Sequence, residues 1–63
     1  MNKQTVNSKK QIAKLIKKYS YLASIYDIQQ IETLITAEGA AYFNTDQFTV
    51  KYLGFGIWEA TVQ

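Results

Sequence analysis

From Ile12 to Tyr26 the apolar residues recur at three-and-four spacing: Ile12, Leu15, Ile16, Tyr19, Leu22, Ala23 and Tyr26. At about 100° per residue these positions form one stripe, the signature of an amphipathic helix. Ser8 followed by Gln11 has the form of a capping box at its start. Lys10, Lys14, Lys17 and Tyr21 fall on the opposite side, with Lys18 at the flank. Ile28, Ile31, Leu34 and Ile35 repeat the helical spacing, but their stripe is rotated by more than roughly a hundred degrees from the first. One straight helix cannot bury both. A break at Ser24 to Asp27 resolves the conflict, with Asp27 and Gln30 as a second capping box and Gly39 as the left-handed stop.

After Gly39 the period changes to two, and aromatic and β-branched residues dominate. A three-residue loop Gly54-Phe55-Gly56 pairs Leu53 with Ile57, Tyr52 with Trp58, Val50 with Ala60 and Phe48 with Val62. It also sets Lys51 opposite Glu59 and Thr49 opposite Thr61 on the other face. A two-residue Gly54-Phe55 loop would put Val50 opposite Glu59 and mix the two faces. An earlier strand at Ala40 to Asn44, joined by the turn Asn44-Thr45-Asp46-Gln47, would place Phe43 beside Phe48 and Ala41 beside Val50.

The expected fold is therefore α+β: two N-terminal helices packed on a three-stranded antiparallel meander, ααβββ, in a single small domain over residues 1–63. Met1 to Asn7 are expected to form a loose tail. The expected core is Ile12, Leu15, Ile16, Tyr19, Leu22, Ile28, Ile31, Leu34, Ile35, Phe43, Phe48, Val50, Trp58 and Val62.

Composition sets the limits on this fold. A chain of 63 residues buries only about 60% of its unfolded surface. With no cysteine and no histidine, packing or self-association has to supply what disulfides or metals supply in other small proteins. The net charge of +2 hides a segregation. Lys3, Lys9, Lys10, Lys14, Lys17 and Lys18 precede every acid, whereas Asp27, Glu32, Glu38, Asp46 and Glu59 follow with Lys51 alone among them. The basic end suits a nucleic acid, an anionic membrane or an acidic protein; equally, it suits a solvated helix face.

The candidate chemistry is narrow. General acid–base and nucleophilic catalysis use a histidine, a cysteine or a close carboxylate pair. Here the five acids are scattered, so the chain reads as no enzyme, with no cofactor and no metal site. Gly54-Phe55-Gly56 precedes a strand, not the helix that a phosphate-binding glycine loop opens.

Protein binding is the leading expectation, through Leu53, Phe55 and Ile57 at the hairpin tip together with Tyr42, apolar groups that the fold leaves unused. The bland alternative is that Leu53 and Ile57 simply close the end of the core or sit in a homodimer. The second reading is a nucleic-acid or acidic partner on Lys10, Lys14, Lys17, Lys18 and Tyr21. Without arginine such binding would carry little sequence specificity. As a helix-turn-helix, residues 28–36 would present Gln29, Gln30, Glu32 and Thr33, none of them basic. Membrane association ranks third, because the sheet needs the apolar stripe of the basic helix. No apolar run of signal or transmembrane length is present, so the expected compartment is the cytoplasm. The resulting expectation is a small interaction protein that occludes or regulates a larger macromolecule, in the manner of phage- or plasmid-encoded inhibitors.

Overall fold

The structure, a computed structural model describing residues 2–63, is α+β. It runs β1 (Asn2–Val6), α1 (Lys9–Tyr19), a 3₁₀ segment (Tyr21–Ile25), α2 (Ile28–Leu34), a second 3₁₀ segment (Gly39–Phe43), β2 (Phe48–Gly54) and β3 (Ile57–Val62). The three strands are antiparallel in the order β1-β3-β2, so the C-terminal strand is central.

Two parts of the expected order are corrected. Residues 2–6, expected in a loose tail, pair with β3 from Asn2 opposite Val62 to Val6 opposite Trp58; Met1 lies outside the described residues. Their sequence shows no apolar alternation because only Val6 is even half-buried; the pairing is held by backbone groups on the free edge of β3. Conversely, residues 40–44 do not form a strand. Ala40 and Phe43 are buried while Ala41 and Tyr42 are exposed, a three-residue repeat that suits a 3₁₀ turn. The fold is thus a β-strand, the helical layer and a β-hairpin, not ααβββ.

The helix signals are answered in detail. Gln11 N–H donates to Ser8 Oγ at 3.2 Å, while the Gln11 side chain accepts from Asn7 N–H at 3.3 Å. Asp27 and Gln30 form the complete reciprocal box, at 2.9 and 2.7 Å. The break comes earlier than expected, at Ser20, whose N–H closes α1 on the Ile16 carbonyl. Gly39 is not a left-handed stop: α2 has ended at Leu34, and Gly39 opens the second 3₁₀ segment. It is required there by proximity, because a Cβ would lie 2.5 Å from the Leu34 carbonyl oxygen.

Ile12, Ala13 and Ile16 of α1, Ala23, and Ile31 and Ile35 from the α2 region pack on Phe48, Val50, Trp58 and Ala60 of the sheet, with Ala40 and Phe43 closing one side. Tyr19 stacks on Phe48 with ring centroids 5.6 Å apart. The opposite sheet face is polar, and Lys3 Nζ lies 3.8 Å from Glu59 Oε1 there. Leu22 and Leu34, expected in the core, are instead exposed. With α1 stopping at Tyr19, the next turn directs Ala23 inward and leaves Leu22 outside.

Candidate binding surfaces

The hairpin register is the expected one from Phe48–Val62 to Tyr52–Trp58. Nearer the turn it changes: Gly54, not Leu53, faces Ile57, and Leu53 becomes the additional residue of a β-bulge. The turn itself is Phe55-Gly56, with φ of 56° and 76°, the left-handed pair of a type I′ hairpin turn. Gly54, at φ 95°, supplies the bulge conformation. Tyr52 braces this tip, its ring 4.9 Å from that of Trp58 and its hydroxyl accepting from Gly56 N–H at 2.9 Å. Phe55 is 100% exposed, Leu53 is exposed and Ile57 half-buried. Phe55 therefore combines an unfavourable backbone conformation with a side chain that packs on nothing in its own chain.

Tyr42 does not belong to that tip, nor to the open sheet face with Thr49 and Thr61. It sits in the second 3₁₀ segment, which precedes the start of β2, whereas the tip lies beyond its end. Seven residues of strand separate those ends by roughly 20 Å. Tyr42 instead joins Leu22, Ile25 and Leu34, all exposed, around an apolar groove of about 310 Å³ floored by Tyr26, Gly39 and Phe43. Thr36, Glu38 and Ala41 extend the lining on the Leu34–Tyr42 side. Sequence periodicity hid this site because Leu22 and Leu34 fit the helical stripes. The available signals were Tyr42, already set apart as unused, and Ile25, an apolar residue that neither stripe used.

The basic residues separate into two kinds. Lys10, Lys14 and Lys18 project from α1 into solvent, with Lys9 exposed at its start. Lys17 is committed to the fold. Its ammonium donates to the carbonyls of Ala23 at 3.1 Å, Ser24 at 3.4 Å and Tyr26, closing the end of the first 3₁₀ segment. Lys17 is therefore withdrawn from the expected anion-binding set, a role that spacing alone could not show. Lys18 Nζ lies 5.2 Å from the centroid of the Tyr19 ring. Tyr19 and Tyr21, the latter 87% exposed, line a polar cavity of about 430 Å³ with Thr45, Asp46 and Gln47.

Among the described residues, no three His, Cys, Asp or Glu side chains gather as a metal site, and no helix is long and apolar enough to cross a membrane. Comparison with protein-family models, curated proteins and solved structures gives no match to this chain.

Proposed function

We propose that the protein is a non-enzymatic binding module that regulates or occludes a larger protein by seating an apolar element of that partner in the Leu22–Ile25–Leu34–Tyr42 groove. The observation that carries this reading is the convergence of four exposed large side chains on one cavity. Single exposed apolar residues need no explanation, but contiguous ones mark interaction sites. The Leu22–Ile25–Leu34–Tyr42 part of the groove is lined by no ionisable group other than the tyrosine phenols, and Glu38 stands only at its extension, so it supports recognition by shape and burial. Phe55 is a second contact, standing clear of the body on a braced turn.

The test is affinity capture from nuclease-treated host lysate, comparing the native chain with Ile25→Ser/Tyr42→Ser and with the polar-face control Thr49→Ser. Both altered groove positions are exposed, so the circular-dichroism spectrum should be retained. Loss of the same captured protein in the groove variant, with retention in the control, is the expected result. Equal capture by all three chains refutes the groove as the docking site.

A further inference from the structure

The lysine row of α1 shares no residue with the groove and asks for a different ligand. Lys10, Lys14 and Lys18 recur at every fourth residue of one helix, so they lie about 6 Å apart along its axis and about 12 Å end to end. The helix contains no acid, and among the described residues the ion pair formed is Lys3 with Glu59, on the sheet. The charge of this face is therefore uncompensated. At its C-terminal end, Lys18 lies against the Tyr19 ring, and Tyr19 and Tyr21 open onto the polar cavity with Thr45, Asp46 and Gln47.

We infer that this face binds single-stranded nucleic acid, with the lysine row following the phosphates and an unpaired base resting against Tyr21 at the mouth of the cavity. Charge complementarity selects a polyanion. The neighbouring exposed aromatic selects one with planar groups free to stack, which a duplex does not offer. At the cavity the Asp46 carboxylate can accept from the N–H groups of a base edge, so this end of the face suits a neutral planar group and not a further anion. Lysines without arginine give affinity that depends on salt and little on sequence.

The experiment is fluorescence anisotropy of the full chain with labelled single-stranded DNA and RNA oligonucleotides of about 16 nucleotides, the corresponding duplex, and phosphatidylserine vesicles as competitor. Titrations run from about 50 to 200 mM salt. Three lysine–phosphate contacts predict a slope of log K on log salt near −2, at about 0.7 per phosphate on a single strand. Lys10→Gln/Lys14→Gln/Lys18→Gln should bring that slope close to zero. Tyr21→Ser should weaken binding by about 5- to 150-fold while leaving the slope in place. Tyr21 is 87% exposed, so this variant tests the inference even if the triple substitution disturbs the helix. Absence of saturable binding at low salt, duplex preferred over single strand, a Tyr21→Ser variant that binds like the native chain, or displacement by vesicles at lower concentration than by oligonucleotide would each overturn it.

Discussion

Phe55 allows stability and binding to be separated at one residue. Its φ of 56° lies in the left-handed region, which costs an ordinary L-residue roughly 1–2 kcal/mol. Asparagine adopts this conformation readily and is the preferred first residue of a type I′ turn before glycine, the position that Gly56 already fills. Because Phe55 is 100% exposed, replacing it forfeits no packing, and the Tyr52 hydroxyl that holds the turn bonds to Gly56 and not to Phe55. Phe55→Asn should therefore stabilise the fold by about 1 kcal/mol, which raises the melting temperature of so small a domain by about 4–8 °C. Phe55→Ala provides the control: it removes the same exposed ring but keeps a β-carbon in the strained conformation, so its stability should stay within about 0.5 kcal/mol of the native chain. Thermal denaturation followed by circular dichroism distinguishes them. Both variants should lose partner capture, although one is more stable than the native protein. A melting temperature for Phe55→Asn no higher than that of Phe55→Ala would refute the claim that strain is stored at this tip.

Two further substitutions test how the groove is built. Gly39→Ala would place a methyl group 2.5 Å from the Leu34 carbonyl oxygen and 3.0 Å from Thr36 Oγ1; moving backbone to admit it should cost about 1–3 kcal/mol, read as a lower urea midpoint, and an unchanged midpoint would contradict the close approach. Lys17→Met keeps the aliphatic stem but removes the donor to the Ala23, Ser24 and Tyr26 carbonyls. For partly solvated carbonyls the expected loss is about 1–2 kcal/mol, against less than about 0.5 for Lys14→Met on the open face; equal midpoints for the two variants would return Lys17 to the set of free cations.

Much of this architecture is legible in sequence wherever burial is periodic. The two capping boxes, the buried pairs of the hairpin and the lysine face of α1 follow from spacing because each side chain position repeats with its element. The legibility fails where backbone groups, not side chains, do the organising. In β1, Asn2 to Thr5 are all exposed, so the strand exists through its ladder to β3 and leaves no apolar trace. Around Ser20 and Gly39 the chain takes 3₁₀ turns, and over five residues a three-residue repeat is hard to tell from either an extended helix or an alternating strand. Those same two turns carry Leu22, Ile25 and Tyr42. The candidate groove was thus concealed by the irregular backbone that creates it.

The distribution of apolar side chains bears on the proposed binding function. The large members of the core are Ile12, Ile16, Ile31, Ile35, Phe43, Phe48, Val50 and Trp58, and its other members are alanines. A comparably large set, including Tyr21, Leu22, Ile25, Leu34, Tyr42 and Phe55, is left outside. In a chain this short, where burial on folding is limited by size, side chains that would each contribute about 1.5–3 kcal/mol if buried are withheld from the core, and one of them occupies a strained turn. Such an arrangement lowers the stability of the isolated protein, and under the proposed function it leaves apolar area for a complex. Binding then returns it by mass action: a partner present at 100 times its dissociation constant adds about 2.7 kcal/mol to the folded state. That gain is of the same order as burying one of the withheld side chains, so a complex at that occupancy offsets the share of one such residue and not of the whole set.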